Sequence, residues 1–154
     1  MNKAEFSRLY MELLPGLYRL ALSILCNEAD AEDAVQQSAV NAWQVRSRIR
    51  SGSERAYLTR ILINVCRDTQ RQRMKTFPVR DVPDVVAPDE DSSLRPALDS
   101  LPEKLRTPLL LKYMEGWSER EISAALRITL YAVKSRLRRG REALARQLKE
   151  EENQ

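Results

Sequence analysis

The chain has 154 residues, 43% of them hydrophobic, 31% charged and 6% aromatic, with four Gly and seven Pro. That length allows one ordinary domain or two small ones, and the balance suits a helix-rich soluble protein rather than a fibrous or wholly disordered chain. Lys plus Arg is 26 and Asp plus Glu is 22, so the net charge of +4 is too small to name a polyanionic partner until its distribution is known. His is absent, which excludes an imidazole base, a Ser-His-Asp triad and a His-ligated metal. No catalytic residue, metal site or cofactor is expected. Cys26 and Cys66 are too far apart in sequence for a CxxC clip and lie in apolar helical patterns, so they read as small buried hydrophobes in a reducing cytoplasm. Glu5, Arg8 and Glu12 interrupt any signal-peptide core, and the apolar stretch from Leu17 to Leu25 is broken by Arg19 and too short for a bilayer. A cytoplasmic location without membrane insertion is expected.

Phe6, Leu9, Tyr10, Leu13, Leu14, Leu17, Ala21, Ile24 and Leu25 recur at i, i+3 and i+4, which predicts a helix. Pro15 inside that run predicts a kink or two consecutive helices. A second helix should start with Asp30 as its N-cap and bury Ala31, Ala34, Val35, Ser38, Ala39, Ala42 and Trp43. Beyond Gly52, Ser53 is placed to cap a third, with Tyr57, Leu58, Ile61, Leu62, Val65 and Cys66 inward. From Thr76 to Ser92 the pattern stops. Pro78, Pro83 and Pro88 break helices there, and five acids against Arg80 leave a local charge of −4, the composition of a flexible linker.

Helical periodicity resumes with Leu94, Leu98, Leu101 and Leu105. Gly116 is placed to end a helix, and Ser118 with Glu121 forms a capping box that opens the next. The turn Arg127-Ile128-Thr129 follows, and then a long helix with Thr129 as N-cap. A short helix, a tight turn and a second helix are the outline of a DNA-binding helix-turn-helix, with Ile122, Leu126, Ile128, Val133 and Leu137 as its core. No segment alternates with period two. The fold class expected is all-α, in two small helical domains, 1–75 and 93–149, with a linker over 76–92 and a frayed tail over 150–154.

Charge is segregated along these elements. Residues 27–45 carry Glu28, Asp30, Glu32 and Asp33 and no cation, a net of −4; residues 60–75 carry a net of +4, and Arg46, Arg48 and Arg50 lie on the loop between. Between Lys134 and Arg146 the last helix holds Lys134, Arg136, Arg138, Arg139, Arg141 and Arg146 against Glu142, a net of +5. Solvated helices usually interleave both signs, so a one-sided cationic helix behind a capped turn favours DNA over a bland surface. The acids at the start of the second helix are explained equally well by complementarity to the helix dipole.

Taken in order, these segments resemble a known family. Leu17-Tyr18-Arg19-Leu20-Ala21-Leu22 and Asp30-Ala31-Glu32-Asp33-Ala34-Val35-Gln36 through Ala42-Trp43 are similar to region 2 of bacterial group IV, or extracytoplasmic-function (ECF), sigma factors of the sigma-70 family. Tyr57-Leu58-Thr59-Arg60-Ile61 with Asn64 resembles the promoter-melting segment of that region. Leu101-Pro102-Glu103-Lys104-Leu105-Arg106, Glu115-Gly116-Trp117-Ser118 and Val133-Lys134-Ser135-Arg136-Leu137 resemble region 4. The resemblance implies a non-enzymatic, dissociable subunit of RNA polymerase that directs promoter recognition, melting and transcription initiation. It implies that Asp30, Asp33, Gln36 and Gln37 dock on the β′ clamp helices of the polymerase core, with a further contact on the β flap. Arg48, Arg50, Tyr57, Arg60, Asn64 and Arg67 would act on the −10 element, where an unstacked base must be captured. Leu130, Tyr131, Lys134, Ser135, Arg136, Arg138, Arg139 and Arg141 would meet the −35 element, with Tyr131, Lys134, Ser135 and Arg138 reaching base edges. The resemblance also implies an anti-sigma partner and a free protein that is monomeric.

Several positions depart from the pattern. Gln37 stands where Glu is common and Ala39 where a larger apolar residue is common. Arg127 takes a turn position often held by Gly, Pro108 should kink or restart its helix, and Gly140 interrupts the last helix at a cost of roughly 1 kcal/mol relative to Ala. The alternative reading is a stand-alone helix-turn-helix regulator that binds DNA as a dimer, with the first half for dimerisation or ligand sensing. A helical adaptor that binds only protein would leave the Arg-rich helix without a purpose.

Overall fold

The computed structural model describes residues 1–76 and 94–152, so the expected linker lies, apart from Thr76, outside the described residues. The described residues are helical and fall into two compact units, each with its own core.

The first unit packs three helices, α1 (Lys3–Leu25), α2 (Glu28–Gln44) and α3 (Glu54–Thr76), with a 3-10 turn at Arg46–Arg48. Asn2 caps α1 by accepting from Glu5 N (2.8 Å) while Glu5 Oε2 accepts from Asn2 N (3.3 Å), a reciprocal capping box. The helix runs through Pro15 as one element, not as two. Pro15 and Met11, whose carbonyl loses its helical partner, both lie on the exposed side, where water can take the freed oxygen. Cys26 ends α1 in the left-handed region (φ 56°).

The N-cap of α2 is Asn27, not Asp30: the Asn27 side chain accepts from Asp30 N at 2.9 Å, which puts Asp30 inside the first turn. Ala31, Ala34, Ser38 and Ala42 are buried on α2, and such small residues let α1 and α3 approach closely. Phe6, Tyr10, Leu17, Leu20, Leu25, Leu58, Leu62, Ile63 and Cys66 fill the space they leave. Tyr10 donates its hydroxyl to the Val35 carbonyl at 2.6 Å, and burial pushes its pKa up to about 12. Phe6 stacks on Tyr10 and meets the edge of the half-buried Trp43. Burial also pushes the Cys66 thiol up to about 12, which keeps it protonated and inert at neutral pH. On α3, Tyr57 and Ile61 are half-buried rather than inside, and Thr59 and Ile63 are buried in their stead.

The second unit contains α4 (Leu94–Asp99), α5 (Glu103–Leu109), a π-helical turn (Leu110–Met114), α6 (Glu119–Leu126) and α7 (Leu130–Glu152). Pro108 does not restart a helix. Two residues past it the hydrogen-bond ladder widens, with Glu115 N donating to Leu110 O at 3.2 Å and Trp117 N to Leu111 O at 3.0 Å. That wider turn keeps Leu109, Leu110, Leu111 and Trp117 buried together. Gly116 follows with φ +70°, the backbone state that lets the chain reverse into Ser118. The capping box at Ser118 and Glu121 and the cap at Thr129, whose hydroxyl accepts from Ala132 N at 3.0 Å, form as expected. Arg127, at the turn position often held by Gly, adopts the left-handed conformation (φ 56°). In the turn core, Ile122, Val133 and Leu137 are fully buried, whereas Leu126 and Ile128 are half-buried. With no Gly or Pro after Gly140 to stop it, α7 continues to Glu152, through the first three residues of the tail expected to fray; 153 and 154 lie outside the described residues.

Gly140 is a packing requirement rather than an interruption. A Cβ there would lie 2.8 Å from Leu109 Cδ1, 3.2 Å from Leu109 Cγ and 3.3 Å from the Leu105 carbonyl oxygen. The absence of a side chain lets α7 sit against α5. Gly140→Ala should therefore lower stability: overpacking costs about 1–3 kcal/mol and outweighs the roughly 1 kcal/mol gained in helix propensity. Urea unfolding of the variant checks the sign, and a rise in the midpoint would refute the packing argument.

Candidate nucleic-acid interface

α7 divides along its length. Val133, Leu137 and Gly140 are buried and Leu144 half-buried, at the spacing of one helix face. The opposite face carries Tyr131, Lys134, Ser135 and Arg138, again three or four residues apart. Tyr131 is 81% exposed, and Lys134 and Arg138 are exposed. The Tyr131 ring is apolar and its hydroxyl polar, a combination suited to contact a partner surface. The candidates proposed for base-edge reach thus share one outward stripe, which begins one residue into α7, directly after the Arg127–Thr129 turn.

The remaining cations of α7 fall elsewhere. Arg139 is exposed on the far side of that stripe, while Leu130 and Arg136 are half-buried beside the seam with the core. Arg141 is exposed and donates Nη1 to the Tyr113 hydroxyl at 3.0 Å, a contact that sequence spacing could not show. Tyr113 and Met114 on the π turn are themselves exposed.

In the first unit, Tyr57, Arg60, Asn64 and Arg67 follow one another at helical spacing on α3. Asn64 and Arg67 are exposed, and Tyr57 and Arg60 are half-buried. The Arg60 guanidinium lies over the Tyr57 ring, 4.6 Å from its centre, and Arg67 Nη1 reaches Asn64 Oδ1 at 3.5 Å. The result is a stripe of two cations, a ring and an amide, able to stack on a base and hydrogen-bond its edge. Arg48 and Arg50 are exposed on the loop before it. That loop is internally bonded, through Arg48 N to Val45 O (2.9 Å), Ser53 N to Arg50 O (3.0 Å) and Gly52 N to the Glu54 carboxylate (2.9 and 3.0 Å).

Arg46 behaves differently from its loop neighbours. Its guanidinium lies 3.6 Å from the centre of the Trp43 ring, donates to Trp43 O at 2.8 Å and reaches Met1 O at 3.2 Å. It fixes the end of α2 rather than offering a free charge.

On α2, Glu32, Asp33, Gln36 and Gln37 are exposed, with Val40 (51% exposed) in line beyond them. Gln37 donates to Asn41 at 2.8 Å. Asp30 lies at the edge of this surface, only partly exposed, and its carboxylate pairs with Arg73 of α3, 43 residues away in sequence. Arg73 also donates to the Leu25 carbonyl at 3.0 Å, and desolvation lowers its pKa from the usual guanidinium value. Arg73 entered the sequence reading only as part of a charge count, because nothing in local spacing links it to Asp30.

Among the described residues, no group of three or more His, Cys, Asp or Glu side chains is placed to hold a metal ion. Among them, no helix is long and apolar enough to cross a membrane.

Comparison with known proteins aligns with this division. Residues 9–76 match the family model for Sigma-70 region 2, and residues 92–144 match that for Sigma-70, region 4. The ECF RNA polymerase sigma factor SigE of Mycolicibacterium smegmatis is 34% identical over 143 residues, covering 83% of this chain and 55% of that protein. The chain therefore spans about half the length of that relative. SigL of Mycobacterium tuberculosis is 30% identical over 155 residues, covering 92% of this chain and 88% of SigL. SigW of Bacillus subtilis is 28% identical over 156 residues, covering 87% and 83%. Among solved structures, the sigma factor RpoE of Bartonella quintana, in complex with the anti-sigma factor NepR, is similar with a TM-score of 0.76 and 26% identity over 94% of this chain and 97% of that one. CnrH in complex with the cytosolic domain of CnrY gives a TM-score of 0.72 at 25% identity, over 96% and 90%.

The outward stripe of α7 should be spare to the fold. Tyr131→Ala, Lys134→Ala and Arg138→Ala are expected to change stability by less than about 0.5 kcal/mol each, while Leu137→Ala on the buried side costs about 2–5 kcal/mol. Thermal unfolding of the four variants decides whether the stripe is free for binding.

Proposed function

The chain belongs to the ECF group of the sigma-70 family, and we propose that it is a sigma subunit that directs transcription initiation, its surfaces dividing the work as follows. Residues 1–75 form the domain that binds the polymerase core and opens the −10 element. Residues 93–149 form the domain that reads the −35 element, and 76–92 join them. Asp33, Gln36 and Gln37 on the outward face of α2 dock on the β′ clamp helices, and the second domain rests on the β flap. The α3 stripe and the loop with Arg48 and Arg50 hold the unstacked strand of the −10 element. Tyr131, Lys134, Ser135 and Arg138 meet base edges in the −35 major groove, while Leu130, Arg136, Arg139 and Arg141 flank that contact.

The observation that carries this reading is the pair of outward cationic helix faces, one in each unit, each within a match to a different sigma-70 region. Two unlike faces suit two unlike promoter elements read by one monomer. A dimeric regulator would need only one of them, twice. Binding free energy directs the polymerase, so the subunit itself needs no bond chemistry and no cofactor. It works in the cytoplasm with the polymerase. An anti-sigma partner is supported by the anti-sigma complexes in which RpoE and CnrH were solved.

Reconstitution with purified core polymerase and run-off transcription from a cognate promoter tests the whole reading, and failure to bind core sinks it. Lys134→Ala and Arg138→Ala should each weaken −35 binding by about 1–3 kcal/mol, and at least one should change base preference. Asn64→Ala should leave core binding intact and reduce open complex, measured by permanganate reactivity of the −10 thymines. Normal melting by that variant would remove Asn64 from the site.

A further inference from the structure

The buried stripe of α3 runs out of apolar residues before the helix ends. Leu58, Leu62, Val65 and Cys66 pack inward, but the next inward positions are Thr69, Gln70 and Arg73. Thr69 bonds to its own helix, donating to Val65 O at 3.1 Å. The other two reach across to the rest of the unit: Gln70 Nε2 donates to the Ile24 carbonyl (3.4 Å), and Arg73 donates to the Leu25 carbonyl (3.0 Å) and pairs with Asp30. Both carbonyls belong to the C-terminal turn of α1, where the helix has no further N–H to satisfy them. Arg73 and Asp30 are only about a third exposed (28% and 34% of their side chains), so the contact is sheltered from full screening.

On the opposite side of these same turns lie the exposed Arg67 and Arg71. Resting on the promoter-opening role proposed above, we infer that Arg73 is a positioning residue: with Asp30 as its counter-charge it latches the last turns of α3 onto the α1–α2 junction and so fixes where Arg67 meets the promoter strand. Asp30 then acts through Arg73, and the polymerase-facing acid of this segment is Asp33. The latch joins residues 43 apart in sequence, so it forms only when the three helices are assembled.

The test compares Arg73→Ala, Asp30→Asn and Asp33→Asn in the full chain by amide hydrogen exchange, core affinity and open-complex formation. Arg73→Ala and Asp30→Asn should raise exchange over residues 67–76 about tenfold, with 54–66 unchanged, and reduce open complex by a similar factor. Core affinity should stay within about twofold of wild type. Asp33→Asn should do the reverse, weakening core affinity with exchange unaltered. The charge-swapped pair Asp30→Arg with Arg73→Asp should recover part of the lost protection and opening, which a general loss of stability would not. Unchanged exchange over 67–76 in both latch variants overturns the inference. So does Asp30→Asn weakening core affinity as Asp33→Asn does while protection holds. If the wild-type protein fails to bind core, the promoter role is what falls, and the exchange data still decide whether the latch exists.

Discussion

A helix that is to offer its cations to a polyanion, as proposed for α3 and α7, cannot also use them to hold itself in place, and both units of this protein meet that constraint. α3 and α7 each devote one side to apolar packing and leave the other to charge. Hydrophobic burial is suited to the holding task because it is non-directional and unaffected by the salt that weakens phosphate contacts. The Arg residues that do serve structure are set apart from the outward stripes. Arg46 lies against Trp43, and Arg73 sits at the end of the inward stripe of α3. Net charge by segment therefore overstates what is available to DNA: of the cations in residues 60–75, Arg73 pairs with Asp30 and Arg71 with Asp68 at 2.5 Å.

Holding a cationic helix by one face also demands that the supporting elements come close. In the first unit the small residues of α2 permit it; in the second, Gly140 does so by presenting no side chain to Leu109 and the Leu105 carbonyl. The π turn after Pro108 and the left-handed Arg127 belong to the same solution. Each departs from ideal helix geometry where the chain must turn a buried face toward α7, and each sits beside a residue that is fully buried (Leu111, Ala125). Backbone strain of about 1 kcal/mol at Arg127 is small against the burial of Ile122, Val133 and Leu137 that the turn permits.

Periodicity and caps made the helices legible, because i, i+3, i+4 patterns and the Ser118–Glu121 and Thr129 signals act within one turn of chain. The resemblance to region 2 and region 4 was legible for the same reason, as ordered local motifs. What stayed hidden was set across elements. Asn27 rather than Asp30 caps α2, and Asp30 pairs with Arg73 instead; neither spacing nor composition links those two positions. Gly140 reads as a defect until Leu109 is seen against it. Pro15 reads as a break until Met11 is seen to face water. The charge on α7 was visible in sequence, but its sorting into an outward stripe and flanking residues such as Arg136 and Arg141 required the seam along Val133, Leu137 and Gly140.

Placing the two cationic faces on separate units has an energetic consequence. Each face is small, with two cations on its stripe (Arg60 and Arg67 on α3, Lys134 and Arg138 on α7), and phosphate contacts of that number give weak, salt-sensitive binding. Joined in one chain, the second contact becomes intramolecular once the first has formed, and overall affinity rises steeply only where both elements are present at a compatible spacing. A promoter with one good element alone gains little. On the proposed division of work, discrimination would come from the coincidence of two modest sites, which fits a chain whose total charge is only +4. The same modesty makes orientation matter more than charge count, since a stripe of two cations displaced by one helical turn loses most of its contacts. A fixed α3 end and a closely seated α7 are what such economical surfaces require.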